Sequence, residues 1–435
     1  MTDKTTDLNQ QLIEFIQSSP TPFHAVKTMS AKLKAAGFQQ LVEKDGWSLE
    51  AGAKYFVTRN DSSIIAFRYG EKPLAESGIR MLGAHTDSPC LKVKPNPDLN
   101  RHGYWQLGVE TYGGVLLNPW FDRELSIAGR VSVVDADGKL HHRLIDFCAP
   151  IAMVPSLAIH LDKEANSKRN INAQTHLPVV LDLVDGNDAG EFRSLLAHRV
   201  AAEYAELGQL ELLEYELSLY DVNPGRVYGL NQAFVAAARL DNLLSCFVGL
   251  QALIEADDGQ SMLLVCNDHE EVGSASAAGA QGTMLKDFLT RLIGDDEAMI
   301  RTLQQSMMIS VDNAHAIHPN FASKHDENHG PQINQGPVIK INANQRYASN
   351  SETQAIFKAV CAKQGIPLQS FVVRSDMGCG STIGPITATE IGVKTLDIGV
   401  PTLGMHSIRE TAGTKDTDYL TASLKAFLEL SETSV

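Results

Sequence analysis

The chain reads as an α/β protein, a sheet with helices on both faces, interrupted by an inserted β-rich module. Three observations predict this. Helical and strand-like patterns alternate over residues 1–92 and again over 234–435, the mark of strands joined by crossover helices. Residues 93–233 instead carry strands separated by turn signals, as in a β-rich unit. The length of 435 residues exceeds what one simple core holds and suffices for two domains.

Taken in order, helices are predicted over 7–18 and 22–36. Pro20-Thr21-Pro22 breaks between them, and Pro22 suits a first helical turn, where its missing N–H costs nothing. Strands follow at 54–59, 63–69 and 79–84, the last stopping at His85-Thr-Asp87. In the insert, Leu125–Val134 alternates, turns at Asp135-Ala-Asp-Gly138 and returns through Leu140–Phe147, which reads as a hairpin. Further strands are expected near 178–184 and 211–221, with a helix near 190–206. Beyond 234 come a helix over Leu240–Glu255, strands at 261–267 and 307–312 with helical stretches at 284–305 between them, and a helix at 351–364. Strands at 369–374 and 393–398 and a last helix at 415–431 complete the pattern.

Composition narrows the function classes. Apolar content of 43% and charged content of 20% are those of an ordinary globular protein. A net charge of -15 disfavours nucleic acid as a partner, because phosphate binding needs clustered Lys and Arg. No basic and apolar leader opens the chain and no apolar run approaches a membrane span, so no membrane partner and a cytoplasmic setting are expected. Six cysteines without a CxxC pair read as reduced thiols, mostly core filler. Cys90 and Cys379 fall near candidate site segments.

The chemistry concentrates where apolar runs end. Ser261-Met-Leu-Leu-Val-Cys-Asn-Asp-His-Glu270-Glu271-Val-Gly carries a buried strand directly into adjacent carboxylates. Isolated buried carboxylates are very costly, and a divalent metal is the partner that keeps them ionised. One Glu can then bind metal while the other moves protons. Other segments offer donors at strand ends or helix starts. In His85-Thr-Asp87 the imidazole can ligate and Asp87 orient it. Asp241, in Arg239-Leu-Asp-Asn242, opens a helix as an N-cap or bridges two ions. Asp312, in Val311-Asp-Asn-Ala-His315, and His406, in Gly404-Met-His-Ser407, complete the set. His269, His315 and His318 have a plain alternative as hydrogen-bonded or surface imidazoles. Together, two His and three carboxylates at separate element ends match a co-catalytic pair of zinc ions about 3.5–4 Å apart. Open sheets gather ligands at the carboxyl ends of their strands in this manner. The residues by themselves leave open an aminopeptidase, a carboxypeptidase or N-deacylase, and a scaffold that uses metal only to fold. A spare Glu270 speaks against the last, since a structural site has no use for a base.

His85-Thr-Asp-Ser-Pro, Arg239-Leu-Asp-Asn, Asp268-His-Glu-Glu-Val-Gly-Ser, Asp312-Asn-Ala-His-Ala-Ile-His-Pro-Asn, Gly336-Pro-Val-Ile-Lys-Ile-Asn-Ala-Asn-Gln-Arg-Tyr-Ala-Ser-Asn350 and Gly404-Met-His-Ser-Ile-Arg-Glu resemble the M18 metallo-aminopeptidases, the aspartyl aminopeptidase family. The likeness runs in order from about Leu8 to Leu430. It implies a zinc-peptidase α/β/α sandwich, an insert that serves as a dimerisation domain, and a homododecamer built from dimers with sites facing an inner chamber. The implied reaction removes Asp or Glu from peptide N-termini.

The same resemblance assigns roles. Asp241 bridges two Zn2+ per subunit, His85 and Asp312 complete one ion, and Glu271 and His406 the other; Mn2+ or Co2+ also accept such donors. Glu270 is the general base. Lys340 holds the substrate's side-chain carboxylate, and Tyr347 donates to the oxyanion. His160, in Ala158-Ile-His-Leu161, reaches a neighbouring subunit's site. Asp376, in Arg374-Ser-Asp-Met-Gly-Cys-Gly-Ser381, meets the substrate's α-ammonium or caps a helix. The departures from the family lie in the insert, at Asn166–Asn170 and Asp185–Asp188.

Overall fold

The computed structural model describes residues 2–184, 190–257 and 259–432; the Asp185–Asp188 loop lies outside them. Its residues fall into two compact units. One contains the described residues up to Ser88, Gly225–Met405 and those from Glu410 on; the other contains Pro89–Pro224 and His406–Arg409. The sequence pattern alone had put the insert at 93–233.

The first unit is built on a nine-stranded sheet. Its order is Gln39–Gln40, Lys54–Arg59, Ser63–Arg68, Met262–Asn267, Arg80–His85, Met307–Val311, Lys394–Gly399, Val338–Ile341 and Gln369–Val372. The four strands at its centre, Met262–Asn267, Arg80–His85, Met307–Val311 and Lys394–Gly399, run parallel. Three of these are buried along their whole length, as a sheet covered on both faces requires. Alternate residues serve opposite faces. Leu82, Leu264 and Ile309 join Phe247 and Leu424 in one core, whereas Met81, Leu263 and Met308 join Phe288 and Leu289 in another. The result is an α/β/α sandwich. Because the central strands share one direction, their carboxyl ends lie along a single rim, and His85, Asp268 and Asp312 stand there.

The structure sharpens one expected region and adds two elements outside the pattern. Helical residues 284–305 are two helices, Met284–Ile293 and Asp296–Gln305, split where Gly294 takes φ 73°; the left-handed conformation suits glycine. Val338–Ile341 is a four-residue strand between Gly-Pro and Asn-rich turns. Ile383–Ile391 is a helix whose N-cap is Thr382, not Asp376. Gly384 fits closely in it: a Cβ there would lie 2.4 Å from the Asp397 carboxylate, which would have to shift.

The second unit is a six-stranded sheet in the order Leu140–Asp146, Leu125–Asp135, Leu210–Asp221, Cys90–Arg101, Tyr104–Tyr112 and Val179–Leu183. Every pairing is antiparallel. Helix Phe192–Glu203 contributes Phe192, Leu196 and Val200 to its separate core. Cys90–Arg101 is a further strand, although it carries Pro95 and Pro97. They fall where the register shifts between Val93 and Asp98, and irregularities of this kind are where a sheet tolerates proline. Leu157, Ile159 and Leu161 are exposed in a loop of this unit. No helix among the described residues is long and apolar enough to cross a membrane.

Candidate metal centre

His85 ends its strand fully buried. Its Nδ1 lies 3.1 Å from the Asp87 carbonyl and 3.3 Å from Asp87 Oδ1. An N–H directed at these oxygens leaves Nε2 as the free donor, the tautomer a metal ligand needs. Nε2 faces three carboxylates, at 3.6 Å from Asp241 Oδ1, 3.7 Å from Asp312 Oδ1 and 3.9 Å from Glu270 Oε2. Burial pushes the imidazole's pKa down, but Asp312, Asp87 and Glu270 outweigh it and hold it well above the usual range.

Asp87 also organises the turn that carries the acidic pair. Its Oδ1 accepts from the Glu270 N–H and its Oδ2 from the Glu271 N–H, both at 3.1 Å. His269 precedes this turn with φ 64° and Gly273 follows it with φ 95°. The chain thus leaves the strand in a tight loop with both carboxylates at the rim. Burial raises the Glu270 carboxyl to about 7, with Asp312, Asp87 and Asp241 adding to it and His85 opposing.

Asp241 and Asn242 are buried but not helical, with ψ 107° and 24°. Asp241 therefore sits in a kink of the chain, with the regular helix following it. Its N–H donates to Glu410 Oε2 at 2.8 Å, and its carbonyl accepts from Ser88 Oγ at 2.7 Å. Asn242 Nδ2 donates to the Val311 carbonyl at 2.8 Å, which ties this segment to the strand that delivers Asp312.

Asp312 divides its carboxylate. Oδ1 faces His85, and Oδ2 lies 3.2 Å from Lys340 Nζ. Burial alone would raise its pKa; Lys340 and His85 bring it well below the ordinary range. Lys340 is itself buried, donates to the Asn313 carbonyl at 3.2 Å, and sits 5.2 Å from the centre of the Tyr347 ring. The Tyr347 hydroxyl is pushed far up by burial and by its contact with Cys379, so it remains protonated and able to donate.

One ligand atom each from His85, Asp241 and Glu271 lies within 4.8 Å of the others. Separations of 3.6–3.9 Å around His85 Nε2 are too long for hydrogen bonds. They approach the roughly 3.4 Å that two donors take when each sits about 2.1 Å from one tetrahedral zinc. The donors are one imidazole and carboxylates, the set that zinc accepts. A divalent cation fits, and would compensate charge that Lys340 only partly offsets.

The other expected residues have surroundings of their own. Asp376 is exposed and forks with Arg374, at 2.7 Å and 2.9 Å. His160 lies in an exposed turn of the second unit. His406 belongs to that unit too, its Nδ1 3.1 Å from the Gly114 carbonyl. His269 meets Ser276 Oγ at 2.8 Å, and His315 and His318 pack against Phe371 and Phe321. Sequence reasoning overlooked Ser88 and Glu410, which hold the Asp241 backbone, and Asn242, which holds the Val311 carbonyl beside Asp312. Each falls inside a block already singled out, but only a fold reveals that it touches the backbone beside a ligand.

The sandwich and the donor cluster at its strand ends define a metallo-hydrolase. The family model for "Aminopeptidase I zinc metalloprotease (M18)" matches residues 15–428, and the chain belongs to that family. It is 58% identical over 421 residues to a probable M18 family aminopeptidase 2 of Pseudomonas syringae pv. syringae, covering 97% of this chain and 98% of the relative. Among solved structures it resembles the one described as the Ape4 and Nbr1 complex, with TM-score 0.93, 38% identity, and coverage of 99% of this chain and 86% of that one. It also resembles an S. cerevisiae mApe1 dodecamer, with TM-score 0.82, 28% identity, and coverage of 98% and 97%. The protein is a metallo-aminopeptidase of a zinc family.

Proposed function

We propose that this enzyme is a two-zinc aminopeptidase that removes Asp or Glu from peptide N-termini, with Glu270 as general base. The observation that carries the reading is the convergence of His85, Asp241 and Glu271 within 4.8 Å, with Glu270 Oε2 3.9 Å from His85 Nε2. In this reading Asp241, His85, Asp312 and Glu271 would hold the two ions, with His406 joining them on the sequence alone. Bound zinc supplies a more acidic water and a polarised carbonyl. Glu270 takes the proton of the attacking water and passes it to the leaving amine. Tyr347 donates to the oxyanion.

The acidic preference is assigned to Lys340. An ammonium has three donors, and two are directed at Asp312 and Asn313. The third is offered to the substrate's side-chain carboxylate. Asp376 takes the substrate's α-ammonium only if its fork with Arg374 opens. The insert serves self-association into a homododecamer built from dimers; exposed Leu157, Ile159 and Leu161 beside His160 support an interface, and His160 acts on a neighbour's site.

Glu270→Gln tests the core of the reading. Metal analysis should return two zinc ions per chain in both proteins, while kcat on an Asp-peptide falls by about 10²–10⁴-fold, the usual contribution of acid–base catalysis. A mutant with full turnover rules Glu270 out. A panel of N-terminal residues tests preference: Asp and Glu should lead, N-acetylation should abolish cleavage, and equal rates for neutral residues would remove the acidic assignment.

A further inference from the structure

We infer that Lys340 is a positioning residue for the metal ligand Asp312, in addition to any part it takes with substrate. The inference rests on the metal-centre reading above. Lys340 Nζ lies 3.2 Å from Asp312 Oδ2, while Oδ1 of the same carboxylate faces His85 Nε2 at 3.7 Å. The two oxygens thus have different partners. One is held by an ammonium, and the other is turned toward the donor cluster.

The lysine is fixed rather than roaming. Its strand, Val338–Ile341, pairs with Gln369–Val372 with Lys340 opposite Phe371. The ammonium is buried, donates to the Asn313 carbonyl at 3.2 Å and lies 5.2 Å from the Tyr347 ring centre. An aromatic face at this distance favours a cation. Held so, Lys340 keeps Oδ2 occupied and allows Asp312 to offer a cation one oxygen. It also places a positive charge beside a cluster that offers a cation one imidazole and several carboxylates. Both effects restrain metal affinity and keep ligand positions available to water and substrate.

The test uses the full-length protein and zinc alone as probe. In Lys340→Met the Asp312 carboxylate gains a second free oxygen and the cluster loses a positive charge. Zinc should bind at least threefold more tightly by competition with a chromophoric chelator, and kcat on a neutral Leu-peptide should fall at least tenfold. Lys340→Arg, which keeps the charge, should return zinc affinity to within twofold of the parent. If Lys340→Met does not fold, Lys340→Gln carries the same measurement. Zinc affinity that is unchanged or weaker in the neutral variant overturns the inference. Loss confined to acidic substrates, with unchanged zinc affinity, also overturns it and leaves the substrate assignment intact. Tighter zinc with equal losses on acidic and neutral peptides supports the inference and removes the substrate assignment.

Discussion

Asp87 does not face substrate in this reading, yet three donors converge on its carboxylate. Glu270 N–H and His85 Nδ1 address Oδ1, and Glu271 N–H addresses Oδ2. Asp87→Asn keeps the shape and removes the charge. Whichever way the amide is turned, its NH2 must confront an N–H that formerly donated to oxygen. At least one hydrogen bond to a charged acceptor is lost, worth about 1.5–3 kcal/mol. The Asp87 carbonyl still receives His85 Nδ1 at 3.1 Å, so the imidazole keeps its aim and the damage falls on the acidic turn. Zinc affinity should drop by about 10–100-fold, in line with changes to residues behind metal ligands, which is about 1.4–2.8 kcal/mol. Competition with a chelator on the stripped protein gives the affinity, and a thermal melt checks that the fold survives. Turnover at saturating zinc separates loss of metal from loss of geometry. A variant that binds zinc within twofold of the parent and hydrolyses at the parent rate would refute the role given to Asp87.

Further expectations address other links. Asp416 is buried, accepts from the Asn334 and Gly336 N–H groups at 2.6 and 3.0 Å, and is pushed up to about 7 by burial against the pull of those amides. A carboxyl raised on folding binds its proton more tightly when native, so its contribution to stability is lost as pH rises from the ordinary carboxylate range to about 7 and stays constant above. Melts of the zinc-loaded protein between pH 5 and 8 should show that slope, and Asp416→Asn should flatten it; an unchanged slope removes Asp416 as its source. If His160 serves a neighbour, His160→Ala and Glu270→Gln should each be slow alone yet recover activity when dissociated and reassembled together, because one subunit then supplies what the other lacks. No recovery in a verified mixed oligomer would return His160 to a surface role.

How much of this was readable beforehand depends on the physical signal each feature leaves. Met262–Asn267 and Arg80–His85 were visible because strands buried on both faces leave unbroken apolar runs, and the donors were visible because they interrupt such runs with charge. Val338–Ile341 left no comparable mark. Four residues between Gly336-Pro337 and Asn342 are too few to establish a period, so the pattern assigns no element to the segment carrying Lys340. The helix Ile383–Ile391 was hidden by Gly384 and Pro385 in its first turn; the glycine answers to the approach of Asp397, a contact between segments that only folding brings together.

The acidic site had a similar boundary of legibility. The chain order announces His85, Asp241, Glu270, Glu271 and Asp312 because each is a chemically distinctive side chain at the end or start of an element. It does not announce what holds them. Glu410 acts on Asp241 through a backbone N–H, Asn242 acts on the strand of Asp312 through the Val311 carbonyl, and Asp87 acts on the acidic pair through two more N–H groups. Backbone groups are the same at every position, so a contact to them imposes no residue type on the partner being held. Asp312 and Lys340 differ in kind, for there charge recognises charge across 27 intervening residues. Which oxygen the ammonium takes depends on the register of a short strand against its neighbours, and a one-residue slip would turn Lys340 to the opposite face. The division of labour within a single carboxylate is therefore set by sheet geometry, even though both partners are plain in the sequence.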